Sequence, residues 1–249
     1  MKTYQSFAPF YDGLTNNVDY SSLSEYFDKI IKENGNGGNL LLDLACGTGS
    51  LSFELVKKGY DVISVDASED MLSEAMNKSH TFGNPTFLNQ TMQSLDLFGT
   101  IDAAVCCLDS INHLESKTDV KKAIEKVSLF MNEGGVFIFD VNTLYKHRDV
   151  LGDNTFVYDT DDVYCVWQNC FSPNDGSVEI NLDFFEPIEG GCYDRWQESF
   201  CEYFYDDEFL TECINQSGMK LICKYDDFSF ENVNDKTQRI VYVCRKESK

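Results

Sequence analysis

Residues 41–49 read Leu41-Leu42-Asp43-Leu44-Ala45-Cys46-Gly47-Thr48-Gly49. The apolar run follows the break Asn34-Gly35-Asn36-Gly37-Gly38. It predicts a strand buried on both faces, as a parallel sheet requires. Gly47-Thr48-Gly49 then turns the chain into a helix carrying Leu51, Phe53, Leu55 and Val56, which stops near Gly59. The same strand–helix unit recurs. Residues 62–66 form a second strand, and Ser68 caps a helix that carries Met71, Leu72 and Ala75. Glu69 and Asp70 in its first turn suit the helix dipole. Residues 85–88 and 101–108 supply a third and a fourth strand. A helix across Val120, Ile124, Val127 and Phe130 leads past Gly134-Gly135 to a fifth, residues 136–140. Upstream, Leu23, Tyr26, Phe27, Ile30 and Ile31 predict a helix over 19–34. This alternation predicts an α/β fold with a doubly wound, mostly parallel, seven-stranded sheet.

The texture changes after Asn142. Residues 155–170, 176–186 and 192–205 alternate apolar and polar, with turns at Pro173-Asn174-Asp175-Gly176 and Glu189-Gly190-Gly191. They predict a three-stranded antiparallel insertion, before a helix over 206–216 and closing strands at 219–225 and 239–244. The expected division is an α/β ligand-binding domain, 1–142 with 206–249, and an insertion, 143–205, that roofs the ligand as a lid. Trp167, Phe184, Phe185 and Trp196 are expected in the apolar seam between sheet and insertion.

In an open α/β sheet, ligands bind at the carboxyl ends of the strands, beside the switch in strand order. Small residues at 45, 47 and 49 let a ligand approach the backbone there. Asp43 is placed to receive the ammonium group of an amino acid. Asp66, 23 residues on at the end of the second strand, accepts both hydroxyls of a ribose. A dinucleotide-binding dehydrogenase shares such features, but its G-x-G-x-x-G turn needs a small third position where this chain has Ser52. It also has no use for Asp43.

These residues resemble the class I S-adenosylmethionine-dependent methyltransferases, particularly bacterial members that open with Tyr-x-x-Phe-Ala-x-x-Tyr-Asp. Here that segment runs from Tyr4 to Asp12. Residues 42–49 resemble the first motif, Asp-x-Gly-x-Gly-x-Gly, with Ala45 for the first glycine, a mild change because Ala still leaves room. The resemblance covers nearly the whole chain and implies a Rossmann-like methyltransferase fold with S-adenosyl-L-methionine as methyl donor. It places Asp43, Ala45, Cys46, Gly47 and Gly49 around the donor, Asp66 and Ala67 at its ribose, and Met71 beside its adenine. Thr91-Met92 stands where the family has an acidic residue and Met or Ala. Thr91 has no carboxylate, so the adenine contact falls away or passes to a backbone group. Tyr4 and Tyr11 form an aromatic lid. Leu108 opens the loop 108–114 that faces the methyl group, and Asp109, Asn112 and His113 are its catalytic candidates, His113 reading first as a structural residue. A family element, Glu-x-His-x-Gln-Arg, has Phe200 at the histidine and Glu202-Tyr203 at the last pair, so any role of that histidine is absent or moved.

Composition narrows the partners. Against 42 acidic residues stand 20 basic ones, a net charge of −22, which opposes binding to nucleic acid or to an anionic membrane. No run of eighteen apolar residues and no signal peptide occurs, which predicts a soluble, cytoplasmic chain. Ten cysteines without a CxxC pair, and three histidines away from ligand spacing, predict free thiols and no metal. Cys107-Leu108-Asp109-Ser110 is not the Asn/Asp-Pro-Pro-aromatic element of exocyclic-amine DNA methyltransferases, and no Pro-Cys dipeptide exists for cytosine C5 chemistry. A small-molecule acceptor follows, with a protein acceptor or a non-catalytic donor-binding protein as alternatives. The oligomeric state stays open. The sulfonium already activates the methyl group, so no catalytic motif is obligatory; alignment and exclusion of water suffice.

Overall fold

Leu41, Leu42 and Leu44 are fully buried because their strand, β1 (Leu40–Leu44), runs through the middle of a sheet. In this computed structural model, which describes residues 8–15, 17–82 and 85–248, β1 pairs in parallel with β2 (Asp61–Asp66) and β4 (Ile101–Cys106). Beyond them lie β3 (Thr86–Asn89) and β5 (Met131–Asn142). The last two strands, β10 (Met219–Asp226) and β11 (Arg239–Lys246), complete the order β10-β11-β5-β4-β1-β2-β3. Only β11 runs against its neighbours β5 and β10. The strand order switches between β1 and β4, and that point fixes where a ligand cleft opens.

Helices cover both faces: α1 (Ala8–Leu14), α2 (Tyr20–Asn34), α3 (Ser50–Lys57), α4 (Glu69–Phe82), α5 (Lys117–Phe130) and α6 (Asp207–Gln216). Asp19, Ser116 and Asp206 cap α2, α5 and α6 by accepting from first-turn amides. One apolar core joins α5 and α6 to one face of the sheet, and a second joins α2 and α3 to the other. No helix among the described residues is long and apolar enough to cross a membrane.

A separate antiparallel sheet holds β6 (Thr155–Asp159), β7 (Tyr164–Phe171), β8 (Val178–Ile188) and β9 (Cys192–Glu202) in sequence order. It has four strands where three were expected. Residues 155–170 fold back on themselves at Thr160-Asp161-Asp162, where the Thr160 amide and the Val163 carbonyl close the turn. The aromatic seam also differs. Phe184, with Trp167 and Trp196 beside it, packs against α1 rather than on the large sheet; the Phe10 and Trp196 rings are 5.3 Å apart. Phe185 points to the opposite face, as strand alternation dictates, and pairs with Tyr164. A π-helical turn at Lys146–Leu151, which no sequence signal announced, joins β5 to this sheet.

Candidate active site

A cavity of about 630 Å³ opens at the carboxyl ends of β1, β2 and β4. Its floor is the turn after β1. Ala45, Gly47 and Gly49 hold φ of 60°, 54° and 76°. A Cβ on Gly47 would meet nothing within 4 Å, so this backbone is open to a ligand. One on Gly49 would stand 3.2 Å from both Ala75 and Phe53, so that glycine lets α3 and α4 close on the turn. Ala45 fits the space, yet its left-handed φ carries a backbone cost that the sequence did not reveal. Ala45→Gly is therefore expected to stabilise the protein by up to about 1 kcal/mol, the relieved strain being partly offset by unfolded-chain entropy. A thermal melt that falls for this variant contradicts the assignment.

Two carboxylates organise the turn. Asp43 is buried and accepts from the Ser52 hydroxyl, which in turn accepts from Ser64 at 2.8 Å. Ser52 thus has a positive role at the position that argued against a dinucleotide. Burial pushes the Asp43 carboxyl up to about 7; the Ser52 hydrogen bond opposes this and the nearby Asp66 charge adds to it. Asp66 accepts from the amides of Gly47 and Ser68, each at 2.8 Å, one on each oxygen. Each oxygen keeps a second lone pair for a ligand hydroxyl. Cys46 ties β1 to β2 through its amide, and burial pushes its thiol up, so it stays protonated.

Ala67, Met71, Thr91 and Met92 line the cavity, and Met71 also joins the core under the small sheet. The Thr91 hydroxyl lies 2.7 Å from that of Ser94, a bond local to its own turn. Tyr11 and Tyr20 close one side. Tyr20 was not anticipated, and Tyr4 lies outside the described residues. Asp12 pins α1 to the site by accepting from Thr48 at 2.7 Å, from Ser50 and from Lys78. Among the described residues, none of 143–205 lines this cavity. The small sheet packs against α1, and α1 brings Tyr11 to the cavity.

The loop after β4 is unusual. Leu108 and Asp109 both take left-handed φ, 57° and 56°. Such residues persist only where surroundings over-determine them. Here the buried Asp140 carboxylate, at the end of β5, accepts both amides at 2.8 Å. Arg239, at the start of β11, bridges Asp140 and Asp109. Burial raises Asp109, but Arg239, through its charge and hydrogen bond, together with Lys146 and His113 more than offsets it and holds the carboxyl down to about 2. Leu108 and His113 line the cavity, and the His113 ring also packs 5.2 Å from Phe200. Asn112 is a strut: fully buried, it accepts from the Asn142 amide and donates to the Tyr203 carbonyl.

The comparisons with known proteins agree with this geometry. Residues 41–135 match a family described as Methyltransferase domain. A Bacillus subtilis (strain 168) protein named "Putative methyltransferase YqeM" is 32% identical, over 98% of this chain and 97% of its own. This chain belongs to the S-adenosylmethionine-dependent methyltransferases. A solved S-adenosylmethionine-dependent methyltransferase from Clostridium acetobutylicum ATCC 824 superposes on it with a TM-score of 0.87 at 36% identity, covering 98% and 99% of the two chains. The glycine/sarcosine N-methyltransferase of Parasynechococcus marenigrum (strain WH8102) is 29% identical over 92% of this methyltransferase and 80% of its own length. The methyl donor is S-adenosylmethionine, and the dehydrogenase alternative falls. The site is also larger than its motif. Asp140 and Arg239 carry no motif signal beyond Asp140's place at a strand end, and Asp12 stood in the opening segment without a role of its own.

Proposed function

We propose that this methyltransferase acts on a small, metabolite-sized acceptor in the cytoplasm, with its donor seated in the cavity at the switch point. The observation that carries the donor placement is the pairing of buried Asp43 and half-buried Asp66 around an open glycine turn. Asp43 receives the donor's ammonium group, Asp66 its ribose hydroxyls, and the Gly47 backbone its close approach. Met71 and Met92 flank the adenine, Thr91 sits at its edge, and Leu108 faces the methyl group. When bound, the sulfonium supplies an activated methyl group with a neutral leaving group. The chain orients the acceptor and keeps water out. α1, with Tyr11, serves as the lid, and the insertion supports it from the acceptor side.

Three features favour a small acceptor. The cavity has the volume of a small-molecule pocket. Its described lining holds six carboxylates (Asp43, Asp66, Glu69, Asp70, Glu115, Asp119) and neither Lys nor Arg, which opposes a phosphate backbone. Glycine/sarcosine N-methyltransferases stand among the relatives. Labelled donor incubated with separated metabolite, protein and nucleic-acid fractions should put label into the metabolites. Donor-dependent labelling of RNA or DNA at low salt overturns this reading, and label confined to protein moves the acceptor to a side chain.

The raised Asp43 carboxyl predicts a pH dependence. Between about pH 4 and 7 the folded state binds more protons at Asp43 than the unfolded one. Stability from this group is therefore present below about pH 4 and lost as pH rises through 7. Donor binding has the opposite preference, because an ammonium group favours the ionised carboxylate. Donor affinity is expected to rise about tenfold from pH 6 to 8, with a proton released on binding at pH 6. Calorimetry in two buffers of different ionisation heat reads both effects. A flat profile removes Asp43 as the ammonium partner.

A further inference from the structure

We propose that the methyl acceptor is an amine and that Asp109, His113 and Glu202 form the corner holding its nitrogen; this rests on the small-acceptor reading above. Glu202 ends β9 and reaches into the loop after β4. One nitrogen or oxygen from each of the three lies within 4.8 Å of the other two, and His113 Nε2 is 4.0 Å from Asp109 Oδ2. His113 and Leu108, on the same loop, line the donor cavity, so the corner adjoins the place where the methyl group is presented.

The corner is rich in hydrogen-bond acceptors and short of donors. His147 is fully buried, with Nδ1 2.8 Å from the Gly176 carbonyl. A carbonyl takes only a donor, so Nδ1 carries a hydrogen, and in that tautomer Nε2 presents a lone pair. That Nε2 stands 3.3 Å from Glu202 Oε2 and makes no hydrogen bond. Asn142 gives its Nδ2 to Glu202 at 2.7 Å, which leaves its own Oδ1 buried without a donor. Buried polar atoms left unpaired are rare and costly, and these two sit against the same carboxylate. The charges point the same way. Asp109, Asp140 and Glu202, with the exposed Asp227 3.6 Å from Arg239, outnumber Arg239 and Lys146, so the group carries a surplus of negative charge that an added cation reduces. Lys146 feels these carboxylates but forms no ion pair with them.

A tetrahedral ammonium with charged hydrogen bonds of about 2.7–2.9 Å holds its acceptors roughly 4.4–4.7 Å apart. Zinc, with bonds of about 2.0–2.2 Å, holds tetrahedral ligands roughly 3.3–3.6 Å apart. At 4.0 Å the His113–Asp109 pair lies between the two spacings, so the unpaired acceptors beside Glu202 favour the ammonium, and a metal is an outcome of the test. In the reaction, an arriving ammonium first loses one proton to a ring nitrogen of His113, on the cavity side, and so frees its lone pair. That pair forms the new nitrogen–carbon bond as the methyl–sulfur bond breaks, its electrons staying on sulfur as a neutral thioether. The positive charge passes to the methylated ammonium, and His113 returns its proton to water.

The test uses the whole protein, S-adenosylmethionine with a 13C methyl group, and the small-molecule fraction of a bacterial extract. The expected product carries its 13C methyl on nitrogen, read by NMR. Glu202→Gln should raise KM for that product's parent amine at least about tenfold with donor affinity unchanged by calorimetry. His113→Gln should lower kcat far more than it changes KM for that amine or donor affinity. A methyl group on oxygen, sulfur or carbon overturns the amine while leaving the donor site intact, as does bound donor with no labelled product. Zinc or manganese saturating one site that Glu202→Gln abolishes overturns it as well, by making the corner a metal centre. Failure of the donor to bind at all falls instead on the proposed donor placement.

Discussion

Replacing Arg239 with alanine is expected to destabilise the protein by about 3–5 kcal/mol, because it strips the partner from a buried carboxylate. Arg239 and Asp140 are both buried, and the same guanidinium also holds Asp109. Without it, Asp140 either stays charged and unpaired or takes up a proton, and only the charged form accepts both the Leu108 and Asp109 amides well. The two left-handed residues then lose the contacts that hold them, and the loop presenting Leu108 and His113 drifts. Methyl transfer should fall further than donor affinity, since the β1 turn does not touch this clamp. Arg239→Lys keeps the charge but not the two-pronged geometry, so it should recover part of the stability and little of the rate. Urea unfolding and single-turnover kinetics measure the two effects. An unchanged unfolding midpoint for Arg239→Ala refutes the clamp.

Asp66→Ala should weaken donor binding by at least about tenfold and as much as a hundredfold, from charged hydrogen bonds of about 1.5–3 kcal/mol each. Two losses combine. The ribose hydroxyls lose their acceptor, and the Gly47 and Ser68 amides that shape the turn lose theirs. Asp66→Asn, which keeps one acceptor oxygen, should fall between. Calorimetry on folded variants decides it: unchanged donor affinity in Asp66→Ala removes this residue from the ribose.

What was legible in the sequence was local. Asp43, Gly47, Gly49 and Asp66 belong to two successive βα turns, where strand length and small residues fix side-chain direction within a few positions. Arg239 lies 99 residues from Asp140 and 130 from Asp109, and only the β5–β11 register brings them together. Glu202 meets Asn142 across 60 residues, where the end of β9 comes to the end of β5. The missed fourth strand of the small sheet had a local signal, Thr160-Asp161-Asp162, but alternation on either side masked it. Ala45 was legible as small; its positive φ was not, because the sign of φ is set by the turn as a whole.

The place of Arg239 on the last strand also orders events during synthesis. β1 to β4 and their helices can emerge from the ribosome and pack while more than half of the chain is still unmade. β5 follows, but its Asp140 must wait for β11, translated about a hundred residues later. At the usual pace of roughly 5–20 residues per second, that leaves about 5–20 seconds in which the nascent chain lacks the guanidinium that clamps its β4 loop. The left-handed pair Leu108 and Asp109, made early, is locked only when β11 is in place.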